Sequence, residues 1–280
     1  MALAEGDWDV SACDFPRQAG ETDDTARLQR LVDAAGPDGV AYVPRGGYAL
    51  TSTLMVTNGA SLRLHKSAIL RATKEMDYVM AFDLKAQWAL LGQKGSDAVE
   101  DYNFFVRGGQ IDGNALASCL ALDNYHHYTL RDTTYLNGLK VGLNIGHFGH
   151  GYEVVANNLY FKTVVHGCKG NVAIHQEECD SHFTDCVIVD YTIGIRTRGG
   201  ANRYTRCHVW GGPVREMLDD SINFEVNGGG AIFRDCYCDT GKIGFLINGG
   251  GLLSGCRYFS NPVFGLEDIV CIRHTSGSLR

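Results

Sequence analysis

Charged and polar side chains recur in short strand-like segments through the second half of the 280-residue chain. His175, Arg196, Arg198 and Glu225 each alternate with apolar residues, so in an extended strand they project away from those apolar neighbours. An imidazole, two guanidinium groups and a carboxylate can together move a proton and bind an anionic ligand. The alternative is an ordinary solvated face on which these residues have no chemical role.

Two outward rows are predicted when the segments are aligned on their apolar positions. The first row contains Asn144, Ala173, Arg196, Asn223 and Leu246. The second row contains Gly146, His175, Arg198, Glu225 and Asn248. If the segments stack as neighbouring strands, successive members of a row lie about 4.8 Å apart, and a sugar chain can lie along them.

Hydrolysis of a glycosidic bond uses two carboxyl groups that flank the scissile oxygen. The acidic candidates in this half of the chain are Glu177, Glu178, Asp180, Asp219, Asp220 and Glu225. We take Asp219, Asp220, Glu225 and His175 as the candidate catalytic residues. For the two adjacent aspartates the alternative is a turn in which each carboxylate accepts a local backbone hydrogen bond.

Elimination or epimerisation of a uronic acid instead uses a base and a cation that neutralises the sugar carboxylate. Arg196 and Arg198 suit the carboxylate, unless their stems simply cover aliphatic neighbours. His175, Lys242 or Tyr191 could carry the proton. The candidate substrate-binding residues are Arg196, Arg198, Asn223, Asn144, Asn248, Lys242 and Trp210, the last as a ring that stacks on a sugar unless it packs in the core.

Cysteines indicate how these segments are arranged. The motifs FTDC, YTRC, FRDC and LSGC end at Cys186, Cys207, Cys236 and Cys256, so a similar unit recurs every 20 to 30 residues. A repeat of this length is typical of a stacked solenoid, in which a small thiol fills the same interior position in successive coils. Because no helical period recurs in this half, we expect a β-solenoid of about 8 to 10 coils.

The N-terminal region differs from the repeats. Residues Thr25 to Ala35 place Leu28, Leu31 and Val32 on one face of a short amphipathic helix. Asp23 or Asp24 is the expected N-cap, and Gly36 ends the helix. We predict that this helix covers one open end of the solenoid.

A family resemblance follows from two segments. DFPRQAGETDDTARLQRLVDAAGPDGVAYVPRGGYAL (14–50) resembles the opening of the pectate-lyase-like, right-handed parallel β-helix superfamily, and GGQIDGN (108–114) looks like a turn of polygalacturonase-related hydrolases. The pair Asp219-Asp220 followed by GKIG (241–244) is similar to the Asp-Asp and Gly-His-Gly motifs of those enzymes, with Lys242 at the histidine's position. The resemblance implies hydrolases, lyases, epimerases, fructosyl transferases or phage tailspikes.

Composition excludes other classes of protein. The net charge of −7 and pI of about 5.8 give no general attraction to nucleic acid or to an anionic membrane, and no apolar run is long enough to cross a bilayer. No signal peptide is visible, so we expect reduced cysteines and a location that is either cytoplasmic or within an exported assembly. We also expect the natural chain to extend past residue 280, or another subunit to cover that end.

A metal site is not expected. His175, Cys179, His182 and Cys186 have spacings that would cluster on a helix, whereas on strands they fall on different faces. A calcium ion at the acidic tip QEECD (176–180) is the one alternative, although the sequence supplies too few certain oxygen ligands for it.

These observations predict one all-β domain over residues 1–280. It is a single-stranded, right-handed parallel β-helix with an N-terminal cap at about 14–50 and coils at about 51–280. The predicted function is cleavage of a polysaccharide or oligosaccharide, with a glycoside hydrolase slightly favoured over a polysaccharide lyase. The alternatives are a receptor-binding tailspike or adhesin, for which a homotrimer is possible, and a sugar epimerase or fructosyl transferase.

Overall fold

The computed structural model describes residues 8–37, 39–84, 103–123, 127–146, 154–164, 167–177, 180–211 and 218–279. Its strands pair in parallel and wind into a right-handed solenoid with three faces. The first and second faces belong to one 17-stranded sheet, and the third face is a separate sheet of nine strands. The predicted fold and coil number are therefore confirmed within this part of the chain.

Each face is a stack of short strands, one from each coil. The first face contains β4 (Leu54–Val56), β7 (Tyr78–Phe82), β10 (Ser118–Leu122), β13 (Val141–Ile145), β16 (Val172–Gln176), β19 (Ile193–Thr197), the first parts of β22 (Ile222–Arg234) and β24 (Ile243–Ser254), and β26 (Val270–Ser276). The second face contains β1 (Val10–Ser11), β2 (Val40–Val43), β5 (Ser61–Leu64), β8 (Asn103–Arg107), β11 (His127–Arg131), β14 (Val154–Asn157), β17 (Ser181–Thr184), β20 (Ala201–Thr205) and the second parts of β22 and β24. The third face contains β3 (Gly46–Leu50), β6 (Ala68–Ala72), β9 (Gln110–Asp112), β12 (Thr134–Leu136), β15 (Tyr160–Lys162), β18 (Val187–Val189), β21 (His208–Trp210), β23 (Tyr237–Asp239) and β25 (Arg257–Phe259).

One α-helix, α1 (Thr25–Ala35), closes the N-terminal end of the stack. Leu28, Leu31 and Val32 are fully buried in the same hydrophobic core as the first strands, which confirms the predicted cap. The Asp23 carboxylate accepts a hydrogen bond from the Thr25 amide at 2.8 Å, whereas Asp24 forms ion pairs with arginines instead. Short 3₁₀ turns occur at Ala12–Asp14 and Pro262–Phe264. None of the helices formed by the described residues is long and apolar enough to span a bilayer.

The corner between the second and third faces is the same in many coils. Only two residues separate Arg131 from Thr134, Asn157 from Tyr160, and Thr184 from Val187. The first of the two adopts a left-handed conformation, with φ between 51° and 57° at Asp132, Asn158, Asp185, Arg206 and Asp235. Asp and Asn tolerate this conformation better than most residues, because their short polar side chains hydrogen-bond locally.

The second corner residue points into the solenoid. In four successive coils it is Cys186, Cys207, Cys236 and Cys256, and the first three are fully buried. The predicted cysteine row is therefore confirmed. Aromatic rings stack along neighbouring interior rows, with centroids 5.1 Å apart for Tyr204 and Phe233 and 4.9 Å apart for Phe224 and Phe245. These stacks bury large apolar areas in the narrow interior of the solenoid.

A buried polar network supports the corner between the first and second faces. The Asn202 carbonyl oxygen accepts hydrogen bonds from the Gln176 amide and from the Ser181 backbone amide, the latter at 3.0 Å. Its amide nitrogen donates to the Thr197 hydroxyl at 2.7 Å, and the Tyr204 hydroxyl donates to Gln176 at 3.1 Å. Asn202 is fully buried. If its side chain is removed, the groups that hydrogen-bond to it have no water to replace the lost partner.

We expect Asn202→Ala to lower the free energy of unfolding by about 2 to 3 kcal/mol, because it leaves buried donors without acceptors. Urea unfolding followed by circular dichroism measures the loss. The matched control is Asn157→Ala, since the Asn157 amide makes only long contacts of 3.4 and 3.5 Å, and it should change stability by less than about 0.5 kcal/mol. Equal losses in the two variants would contradict this account of the corner.

Candidate functional site

Four polar residues on the first face are direct neighbours on successive coils. The strand register pairs Asn144 with His175, His175 with Arg196, and Arg196 with Glu225. Two residues further along the chain lie Glu177 and Arg198, which directly follow β16 and β19, and Asn227 in β22. We call these seven residues the polar strip.

The predicted rows were therefore wrong in register at β16 and β22, which were shifted by two residues, whereas Asn144, Arg196 and Leu246 share one row as predicted. The sequence alignment placed Val172 opposite Leu143, whereas the residue opposite Leu143 is Ile174. A shift of two residues keeps apolar side chains inside and polar ones outside, so the hydrophobic pattern cannot detect it. The corrected register places His175 beside Asn144 instead of Gly146, and places Glu225 beside Arg196.

One carboxylate of the polar strip is enclosed by its neighbours. The Arg196 Nε lies 2.7 Å from Glu225 Oε2, and the Asn227 amide donates to Glu225 Oε1 at 2.8 Å. The Glu225 side chain is only 11% exposed and that of Arg196 is 24% exposed. Both carboxylate oxygens are thus engaged by the protein itself.

The second carboxylate of the polar strip is more open. Glu177 Oε1 lies 2.7 Å from His175 Nε2 and 3.3 Å from Arg198 Nη1. The Arg198 side chain is 52% exposed, whereas the His175 side chain is 15% exposed. At this end of the strip, Arg198 can therefore offer a cation to a ligand, and the less exposed His175 can offer an imidazole.

Sequence reasoning missed Tyr78. Its hydroxyl accepts a hydrogen bond from the Asn144 amide at 2.7 Å, although β7 and β13 are two coils apart. Ala81 and Ala121 precede Asn144 in the same row. Burial raises the pKa of Tyr78, and the hydrogen bond from Asn144 partly opposes that rise because it favours the phenolate.

Asn248 extends the polar strip by one coil. It lies opposite Asn227 in the register, and the Ser276 hydroxyl donates a hydrogen bond to its side-chain oxygen. Asn248 is exposed, as its predicted outward position requires, whereas its predicted neighbour Glu225 lies opposite Leu246 instead.

Asp219, Asp220 and Lys242 lie at the opposite end of the strands. The two aspartates are exposed in the turn before β22, and Asp220 Oδ2 lies 3.3 Å from Lys169 Nζ. Lys242 immediately precedes β24, where its backbone amide donates to the Ser221 hydroxyl. Five residues of extended strand, about 16 Å, separate Asp220 from Glu225. The structure does not bring these candidates together with the polar strip.

Three other candidates are placed away from the outer surface of the first face. Asn223 is 2% exposed and its amide donates to the Val209 carbonyl at 2.8 Å, so its predicted outward position was wrong. Its side chain fills the space beside Gly241, where an added Cβ would lie 1.7 Å from Asn223 Oδ1. Tyr191 is 2% exposed, and burial raises the pKa of its hydroxyl well above the usual value, so it does not face a ligand. Trp210 lies on the third face between Val189 and Asp239.

The residues considered as metal ligands lie on different faces of the solenoid, as the strand pattern predicts. His175 lies on the first face, His182 on the second, and Cys186 in the interior, while Cys179 is outside the described residues. Within the described ranges no group of three His, Cys, Asp or Glu side chains is placed to hold a metal ion. Two residues of the acidic tip, 178 and 179, are also outside the described residues.

Comparison with known proteins gives a likeness of structure only. No family model and no curated protein sequence matches the chain. The protein ORF18 of Geobacillus virus E2 superposes with a TM-score of 0.59 at 14% identity, over 96% of this chain and 61% of that one.

Two alginate lyases are also similar in structure. A mutant of the PL6 family alginate lyase AlyGC matches with a TM-score of 0.54 at 10% identity, over 90% of this chain and 38% of that one. An alginate lyase from Paenibacillus sp. str. FPU-7 matches with a TM-score of 0.52 at 10% identity, over 84% of this chain and 95% of that one. The chain thus spans less than two thirds of the viral protein and of AlyGC. By its fold, the chain is a right-handed parallel β-helix like these three proteins.

Proposed function

We propose that the protein binds an acidic polysaccharide across its first face and cleaves it there by β-elimination. The observation that carries this proposal is the arrangement at one end of the polar strip. Arg198 is largely exposed, His175 lies beside the same Glu177 carboxylate, and Tyr78 contacts the adjacent Asn144. A cation, a base and a hydroxyl donor are the groups that elimination from a uronate uses.

Hydrolysis is supported less well than the sequence suggested. It uses one carboxyl group as an acid and a second as a base or nucleophile, and these groups lie about 5 to 9.5 Å apart. The two carboxylates of the polar strip, Glu177 and Glu225, belong to coils that are two steps apart. Each also accepts hydrogen bonds from cations or amides of the strip, so neither is directed at a ligand.

The proposed chemistry assigns one step to each group. Arg198 binds the uronate carboxylate and so stabilises the negative charge that develops on the sugar. His175 removes the proton from the carbon next to that carboxylate, and Glu177 orients the imidazole. The bond to the leaving oxygen breaks, a carbon–carbon double bond forms, and Tyr78 donates a proton to the departing oxygen. Return of a proton to the opposite face of the sugar instead would give epimerisation.

A second candidate is a glycan-binding protein that performs no cleavage. It is favoured by one observation: Glu177, Arg196 and Glu225 already pair with other members of the strip. Such mutual pairing suits a rigid recognition surface as well as it suits a reaction. Analysis of the products formed from acidic polymers separates the two candidates.

Incubation with alginate and with polygalacturonate tests the proposal, with a neutral glucan as the blank. We expect new reducing ends together with ultraviolet absorbance from unsaturated uronate. Reducing ends without that absorbance indicate hydrolysis, and binding without either product indicates the non-catalytic candidate. If none of these polymers is bound or altered, the proposal fails.

Arg198→Gln should lower kcat/KM for the cleaved polymer about 100-fold or more, because it removes a charged donor from the developing anion. Arg257→Gln is the matched control, since it changes an exposed arginine on the third face. It should leave kcat/KM within about twofold of the wild type. Equal effects of the two variants would count against a site on the first face.

Tyr78→Phe should lower kcat and leave the affinity for the polymer largely unchanged. Because burial raises the pKa of Tyr78, its hydroxyl stays protonated through neutral pH, and activity that depends on it should fall only above about pH 10.

Asn144→Leu removes the hydrogen bond that favours the Tyr78 phenolate, so the Tyr78 pKa should rise further. Carbon-13 NMR titration of ring-labelled tyrosine measures both pKa values, with Tyr78→Phe assigning the signal. An unchanged Tyr78 pKa in Asn144→Leu would contradict this role for the amide.

A further inference from the structure

A column of glycines turns the corner between the first and second faces in the C-terminal coils. It contains Gly199 and Gly200, Gly228 to Gly230, Gly249 to Gly251, and Gly277. The register pairs Asn227 with Asn248 and Gly230 with Gly250, so the two Asn-Gly-Gly-Gly segments are neighbours, with a shift of one residue between their asparagines and their last glycines. This corner continues from the end of the polar strip, because Asn227 contacts Glu225.

Some of these glycines are required by the backbone. Gly229 has a φ of 65°, and a Cβ there would lie 2.6 Å from the Gly199 carbonyl carbon. Gly277 has a φ of 83°, and a Cβ there would lie 2.4 Å from the Gly249 carbonyl oxygen. Any side chain at these two positions would clash with the neighbouring coil.

Gly230 and Gly250 are not required in this way. Neither has a left-handed φ, a Cβ on Gly230 would meet no atom within 4 Å, and the nearest atom to a Cβ on Gly250 is at an ordinary 3.4 Å. Glycine weakens a strand relative to residues that carry a side chain. Since the fold gives no reason for glycine at these two positions, a bare backbone surface there points to close approach by a ligand.

These two glycines form the floor of a groove on the second face. The groove has a volume of about 260 Å³, and Arg203, Ile232 and Leu252 form its walls. This volume is slightly below the usual range for drug-sized ligands, about 300 to 1,000 Å³, so the groove suits one ring-sized group. Leu252 is 38% exposed, which leaves an apolar wall for the face of a ring.

Arg203 supplies the charge of the groove. Its side chain is exposed, and it makes no ion pair or side-chain hydrogen bond with the residues that the structure describes. A guanidinium group beside a flat, uncharged floor complements a ring that carries a carboxylate.

We infer that this groove is a binding subsite for an acidic sugar unit of the glycan that lies on the polar strip. The inference rests on the proposed function, because it takes the occupant to be a further unit of the same chain. The glycan leaves the first face at Asn227 and Asn248 and crosses the glycine column. One sugar ring then lies on Gly230 and Gly250, with its carboxylate at Arg203.

Isothermal titration calorimetry with a uronate hexasaccharide and a uronate trisaccharide tests the inference. Gly230→Ile fills the groove from a position where a Cβ meets no neighbour, and Arg203→Gln removes the charge without altering the backbone. Gly47→Ile is the matched control, since Gly47 lies in β3 on the third face and a Cβ there also meets no atom within 4 Å. Thermal melting of every variant reports folding, and Arg203→Gln decides the question if Gly230→Ile does not fold.

Both groove variants should bind the hexasaccharide about tenfold more weakly than the wild type, whereas trisaccharide affinity should stay within about twofold. Gly47→Ile should change neither affinity. The inference is overturned, and the proposed function stands, if both groove variants bind the hexasaccharide like the wild type while Arg198→Gln does not. If the wild type binds neither probe, both the inference and the proposed function are overturned.

Discussion

Backbone hydrogen bonds between successive coils determine everything else in this molecule. Each coil donates to its neighbours on both sides, as the Val172 amide does to the Lys140 carbonyl of the coil before it at 2.9 Å and the Asn158 amide does to the Thr184 carbonyl of the coil after it at 3.0 Å. Because buried backbone groups must be paired, a coil has no freedom to slide along its neighbour. Side chains far apart in sequence are thus held about one strand spacing apart, roughly 4.8 Å.

This constraint decides which side chains can share a row. Like charges directly opposite one another on a sheet are unfavourable, whereas opposite charges are mildly favourable. In the polar strip, Arg196 lies between His175 and Glu225, and Glu177 lies beside Arg198. The pairing that stabilises the strip also orients its histidine and fixes its arginines, so the same contacts serve the fold and the proposed chemistry.

The sequence was sufficient for features that depend on local pattern or on repetition. The helix Thr25–Ala35, the cysteine row and the parallel solenoid each leave a periodic signal. Most members of the strip, among them His175, Arg196 and Glu225, were also identified, because they alternate with apolar residues.

The exact neighbours of these residues were beyond the sequence. Register depends on backbone bonds between coils, and a two-residue slip leaves the apolar pattern unchanged. Tyr78 was missed because its contact with Asn144 crosses two coils, and no pattern within one strand records such a distance. Asn223 was predicted to face outward by simple alternation, yet its side chain points inward and donates to the Val209 carbonyl of the third face.

The corners between the second and third faces limit how such a molecule can vary. These corners contain two residues in most coils and three between Leu64 and Ala68, whereas longer insertions follow other strands: 20 residues lie between Phe82 and Asn103, and eight lie between Ile145 and Val154. Both insertions follow strands of the first face, which also carries the polar strip. Relatives of this chain can therefore differ in the length of these two segments while the winding of the described coils stays the same.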